Sequence, residues 1–166
     1  MGKPGSLGLP RRLGMTELER VQAELAQAKA QLWQRERLLE NTEQGIWYLD
    51  GSGLTDYVNP AMCRLLGRAR HEVIGHSVFE FFSGPDLVIL NNQLERRKLG
   101  HKTGYEIGLV RPDGTRVECF NNATPIHDAA GNRLGSVGMW TDLTSIKQAQ
   151  RELERIETSV NLASSD

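Results

Sequence analysis

The sequence predicts an α+β domain: a five-stranded antiparallel sheet with its helices on one face, flanked by N- and C-terminal coiled-coil helices. Three observations predict it. Glycine and proline divide one block into short apolar runs, in the order strand, strand, short helices, one longer helix, three strands. Before the block, Leu18, Val21, Leu25, Ala28 and Leu32 step by three and four, and Leu39 rejoins the stripe after a charged break at Arg35. After it, Ile146, Ala149, Leu153, Ile156 and Val160 repeat the spacing. Apolar residues about 3.5 positions apart make a helical seam that is best buried against another such helix.

Each element has a local reason. Residues 1–14 are rich in Gly, Pro and Arg without periodicity and read as a disordered segment. Met1-Gly2-Lys3-Pro4-Gly5-Ser6 matches the N-myristoylation pattern, which is too short to establish an anchor. Residues 15–41 form the first helix, where Thr16 and Glu19 make a capping box ahead of good helix formers. The block spans 42–144. Gly45 to Asp50 is a strand, Gly51-Ser52-Gly53 a turn, and Leu54 to Asn59 the returning strand. Pro60 starts a short helix that Gly67 ends, and Glu72-Val73-Ile74-Gly75 is a second helical piece. Pro85 opens a longer helix through Leu99, with Leu87, Ile89, Leu90 and Leu94 as its buried face and Gly100 as its stop. Tyr105 to Arg111, Thr115 to Ile126 and Arg133 to Leu143 are strands. They are joined by the turns Pro112-Asp113-Gly114 and Asp128-Ala129-Ala130-Gly131-Asn132. Thr144 or Ser145 caps a last helix over 145–162.

Bulk properties narrow the function classes. The chain has 166 residues and a formal net charge of -1, so no charge excess points to nucleic acid or to an acidic membrane. No run approaches the roughly 20 apolar residues of a membrane span, and the start lacks the apolar core of a secretory signal. A cytoplasmic location is the expectation. Cys63 and Cys119 are single and read as reduced structural thiols. His71, His76, His101 and His127 have no nucleophile at a recognisable spacing, and Gly104, Gly108 and Gly114 sit in no phosphate-loop context. No enzyme activity and no metal site are expected. Of the three tryptophans, Trp33 lies off the first helix's stripe, while Trp47 and Trp140 fall on strands as packing residues.

Several segments in order resemble the PAS domain, a small sensory fold of bacterial kinases, cyclases and chemotaxis proteins. They are Gly45-Ile46 through Asp50, Gly53, Tyr57-Val58-Asn59-Pro60-Ala61, Leu66-Gly67, Glu72-Val73-Ile74-Gly75 and Tyr105-Glu106. Arg111-Pro112-Asp113-Gly114, Thr124-Pro125-Ile126, Asp128, Gly131, Gly135-Ser136-Val137-Gly138 and Asp142-Leu143-Thr144 follow. The resemblance covers about Leu39 to Thr144. It implies an interior between the longer helix and the sheet, lined by Ile46, Tyr48, Val58, Met62, Leu66, Leu90 and Leu94. That interior holds a small apolar ligand or is filled by side chains, and filling is the default. The reactive cysteine of the family's flavin photoreceptors would follow Gly75 closely. His76-Ser77-Val78 stands there, which disfavours a flavin–cysteine adduct. Haem-binding relatives carry an axial His on the longer helix. His101 lies just beyond its end and is the one residue to test as a haem ligand. No cofactor is predicted.

The expected function is a sensory module that homodimerises along Leu18, Val21, Leu25, Leu32, Ile146, Leu153, Ile156 and Val160. It passes a signal to an output domain or partner of the histidine kinase or cyclase type. Its junction is Asp142 with Thr144, Asp142 pairing with Arg111 or Arg116. One alternative is a cofactor- or ligand-binding sensor for haem, flavin or an apolar metabolite. The other is a dimerisation scaffold without signal.

Overall fold

The structure, a computed structural model, describes residues 16–163. The disordered segment and the N-myristoylation pattern read in residues 1–14 lie outside the described residues. The chain divides into two units, Met1–Arg37 and Leu38–Asp166. Helix α1 (Glu17–Asn41) supplies the described part of the first and runs its last turn into the second. Its capping box forms as expected: Glu19 Oε2 accepts from the Thr16 N–H (2.7 Å) and Thr16 Oγ1 from the Glu19 N–H (3.3 Å). None of its residues is buried within the single chain.

The second unit is the sheet and its cover. Strands β1 (Gly45–Asp50), β2 (Thr55–Val58), β3 (Thr103–Val110), β4 (Arg116–His127) and β5 (Arg133–Asp142) form one antiparallel sheet in the order β2-β1-β5-β4-β3. Helices α2 (Pro60–Leu66) and α3 (Gly84–Lys98) and two 3-10 turns, Arg70–Glu72 and Val78–Phe81, pack on one face. Helix α4 (Thr144–Ala163) leaves the end of β5 directly. Pro60 is the first residue of α2 and Gly67 closes it at φ 63°, so the sequence's stop signals act as read.

Two readings change. The helical piece placed at Glu72–Gly75 is instead a 3-10 turn at Arg70–Glu72, because the chain after it is drawn out to pair with β2. Gly75 N–H donates to Thr55 O (2.8 Å) and Thr55 N–H to His76 O (2.9 Å). The second 3-10 turn carries Phe81 and Phe82 into the core and has no helix-length period to announce it. On β1 the inward residues are Trp47 and Leu49, not Ile46 and Tyr48. Successive strand side chains alternate faces, and Ile46 pairs with Met139 and Tyr48 with Val137 on the outer side. The core is aromatic: Trp47 packs on Phe81 (5.3 Å between centroids), Phe82 (6.3 Å) and Trp140 (5.8 Å).

Candidate sensory core and helix junction

Helix α3 delivers a charge into this core. Leu90, Leu94 and Arg97 recur every three or four residues, so the stripe that buries two leucines also buries a guanidinium. Arg97 is 2% exposed and forms no ion pair among the described residues. It donates to Tyr105 Oη (3.0 Å), Ser136 Oγ (3.4 Å) and Gln93 O (3.3 Å). Burial lowers its pKa and raises that of Tyr105. Asn121 Nδ2 also donates to Tyr105 Oη (2.9 Å), while Asn121 Oδ1 and Trp140 Nε1 have no partner. A cavity of about 10 Å³ lies among Trp47, Leu90, Arg97, Asn121, Gly138 and Trp140. Of the lining residues expected from the sequence, Leu90 alone reaches it. Val58, Met62, Leu66 and Leu94 are packed core, and Ile46 and Tyr48 lie on the opposite face.

The junction with α4 is built differently from the expectation. Asp142 forms no ion pair among the described residues; its Oδ1 accepts from the Thr144 N–H (2.8 Å) and so caps α4. The Thr144 hydroxyl, expected as the cap, is buried without a partner. Arg111 is held elsewhere, with Nε donating to Leu65 O (3.0 Å) and Nη2 to Arg64 O (3.2 Å) at the end of α2. Arg116 pairs with Asp86 and with Glu118 Oε1 (3.1 Å). Leu143 N–H donates to Glu118 O (2.7 Å), so sheet hydrogen bonding runs up to the first turn of the helix. Lys147, in that turn, pairs with Glu106 and lies 3.9 Å from Glu118 Oε2.

A line of charge therefore runs from Asp86 at the start of α3, through Arg116 and Glu118, to Lys147 on α4. Asp86 is 5% exposed. Burial opposes its ionisation, but hydrogen bonds from Arg116 and from the Gly108 N–H (2.9 Å) outweigh that and hold its pKa below the usual carboxylate value. The Arg116 guanidinium lies over Gly108, where any Cβ would strike it. The sequence pointed to Arg116; the Asp86–Glu118–Lys147 line was missed, because β4's register and α3's docking create it.

A second missed residue is Asn59, fully buried, with all four bonds of its amide made. Oδ1 accepts from Ile46 N–H (2.8 Å) and Met62 N–H (2.9 Å), and Nδ2 donates to Leu39 O (3.0 Å) and Gln44 O (2.9 Å). Asn before Pro is a readable cap signal, but the strand and helix-end bonds are tertiary.

The thiols are unsuited to nucleophilic work. Burial pushes Cys119 up to about 12 and raises Cys63, and only the thiolate reacts. His101 is exposed beyond α3, and its backbone N–H donates to Arg96 O (3.1 Å). Protein mixed with flavin is expected to show no reversible blue-light loss of flavin absorbance, followed by visible spectroscopy; a photoadduct that decays in the dark would contradict this.

The family model described as PAS fold matches residues 34–143. The chain is 29% identical over 136 residues to the C4-dicarboxylate transport sensor protein DctS of Rhodobacter capsulatus, covering 80% of this chain and 20% of that protein. It is 28% identical over 130 residues to the signal transduction histidine-protein kinase AtoS of Escherichia coli (strain K12), covering 75% and 20%. The chain thus spans about a fifth of the length of these relatives. Among solved structures, a PAS domain from Colwellia psychrerythraea superposes with a TM-score of 0.62 at 22% identity, over 69% of this chain and 98% of that one. The PAS domain of an HTR-like protein from Haloarcula marismortui gives 0.59 at 24% identity, over 75% and 98%. These two likenesses concern the fold.

Proposed function

This chain belongs to the PAS fold family, and from that premise we propose that it is a dimeric relay module that passes changes in its core to helix α4 and on to a histidine kinase output. The observation that carries this reading is the junction. Helix α4 starts where β5 ends, Asp142 caps it, and Lys147 ties its first turn to β3 and β4. A connection without slack passes on rotation, whereas a flexible linker absorbs it. The similarity to two sensor proteins, one of them named a histidine-protein kinase, supports the output class. In this reading the chain performs no catalysis itself.

Dimerisation follows from the two apolar stripes. Leu25 is 54% and Leu153 57% exposed in the single chain, and each recurs with its neighbours at heptad spacing. Leu25→Asp and Leu153→Asp would place a carboxylate in a seam, at high cost. Sedimentation at micromolar concentration is expected to show a wild-type dimer and a dissociated or far weaker double variant. A wild-type monomer would contradict the reading. No helix among the described residues is long and apolar enough to cross a membrane. A second reading, a sensor that holds a ligand of its own, is favoured by the unpaired guanidinium of Arg97.

A further inference from the structure

We infer that a recess between the end of α1 and the start of α4 is a binding site for a small zwitterion of the α-amino acid class. The inference rests on the reading of the chain as a relay module and adds a regulator at its junction. The recess has a volume of about 360 Å³ and is lined by Glu43, Ala61, Arg64, Leu65, Arg111 and Asp142. Glu43 follows the end of α1 by two residues, and Asp142 ends β5 and caps α4. Helix α2 supplies an apolar floor through Ala61 and Leu65, so the site lies apart from the space under α3.

The charges of the recess are sorted by sign. Arg111 Nη2 donates to the Arg64 carbonyl (3.2 Å), which brings the two arginines together at the end of α2. Gln44 Nε2 donates to Thr141 Oγ1 (3.1 Å), which brings their neighbours Glu43 and Asp142 together at the end of the sheet. None of the four forms an ion pair among the described residues. Elsewhere in the domain Glu40 pairs with Arg70, Asp86 with Arg116 and Lys147 with Glu106. Two like-charged pairs that share a recess without meeting each repel themselves. Water fills such a gap but neutralises neither pair. A molecule with a carboxylate at one end and an ammonium at the other neutralises both, and a guanidinium takes the carboxylate on two N–H groups.

One charge of each sign is already held in place. Arg111 is fixed by the bond from Nε to Leu65 O (3.0 Å), and its stem lies against Gly67, where a Cβ would come within 3.1 Å of Cγ and Cδ. Its two bonds to carbonyls leave Nη1 to donate into the recess. Asp142 takes the Thr144 N–H on Oδ1, which leaves Oδ2. The segment carrying Glu43 is held by Asn59 Nδ2 on Gln44 O (2.9 Å). Groups fixed before binding lose little freedom when a ligand arrives. Arg64 and Glu43 are exposed and complete the contacts at the rim. The volume suits a small molecule, and the apolar floor favours an aliphatic side chain. Contacts this open to water set the affinity on the order of millimolar.

The test is a titration of the nitrogen-15-labelled full chain with L-leucine, beside N-acetyl-L-leucine, which lacks the ammonium, and L-leucinamide, which lacks the carboxylate. The Arg111 Nε–H and the Thr144 backbone N–H report the two fixed charges. The Ser52 N–H, which donates to Asp50 Oδ1 (2.8 Å) past the other end of β1, is the control. The expected result is a saturable shift of both reporters with leucine, an unmoved Ser52, and binding weaker by about tenfold or more for either blocked compound. Asp142→Asn keeps an acceptor for the cap and removes the charge, and it should abolish saturation. Glu43→Gln and Arg64→Gln, both at exposed positions, should each weaken binding several-fold, and they decide the matter should Asp142→Asn loosen α4. No saturable shift, a shift shared by Ser52, or wild-type affinity in these variants overturns the site. So does N-acetyl-L-leucine binding as tightly as leucine, which would mark a plain anion site. Binding that leaves amide exchange over residues 144–156 unchanged keeps the site and counts against the relay. Exchange there that responds to Asp86→Asn while both reporters stay silent to leucine does the reverse.

Discussion

Asn59→Ala is expected to lower stability by roughly 3 kcal/mol or more, among the largest losses from a single polar truncation in this chain. The amide is fully buried and satisfies two N–H groups and two carbonyls, on Ile46, Met62, Leu39 and Gln44. Each buried group left unpaired costs about 1 kcal/mol or more, and the cap of α2 is lost with them. The same side chain fastens the last turn of α1 and the start of β1, so loosening should concentrate there. Asn59→Asp keeps both acceptor bonds but turns a carboxylate toward two carbonyls, and it too should destabilise. Urea unfolding checks both; a midpoint for Asn59→Ala close to wild type would show that water or backbone shifts take over these bonds.

Asp86→Asn should lose about 2 kcal/mol near neutral pH, because it removes the charge that Arg116 and the Gly108 N–H solvate. The half-exposed Arg116 keeps the figure at this level. The pH dependence has a definite sign. The folded pKa of Asp86 lies below its ordinary value, so the stabilisation is present above the unfolded value of about 4 and fades as pH falls through the folded pKa. The stability gap between wild type and Asp86→Asn is therefore constant above about pH 5 and closes in acid. Unfolding midpoints across pH 2 to 7 at fixed salt measure it, and a gap that persists unchanged at the acid end would exclude the carboxylate as its source.

The sheet and helices were legible because local signals there agree with the final packing. Pro60 and Gly67 bound α2, Thr16 with Glu19 opens α1, and the turns at Gly114 and Gly131 set the last hairpins. The 3-10 turns were not, because the bonds of Gly75 and His76 to Thr55 on β2 are tertiary and end the turn before a helix can form. The site was less legible. Assigning β1's inward face to Ile46 and Tyr48 missed by one residue, and in a strand that exchanges every side chain. Arg97 reads as a polar residue near a helix end, and only the docking of α3 buries it. Asp142 ends β5 and accepts from the backbone of Thr144 rather than pairing with an arginine, since Arg111 and Arg116 are held by α2 and α3.

Amide hydrogen exchange over residues 144–156 in a two-by-two set of wild type, Asp86→Asn, Lys147→Met and the double variant tests the relay most directly. If the line from Asp86 through Arg116 and Glu118 reaches Lys147, Asp86→Asn speeds exchange in the first turns of α4 by about fivefold, the equivalent of roughly 1 kcal/mol of local opening. In the Lys147→Met background the same substitution then adds little, because the line is already cut. If Asp86→Asn leaves α4 at its wild-type rates, or acts equally in both backgrounds, α3 and α4 are not coupled through these charges and the relay account fails.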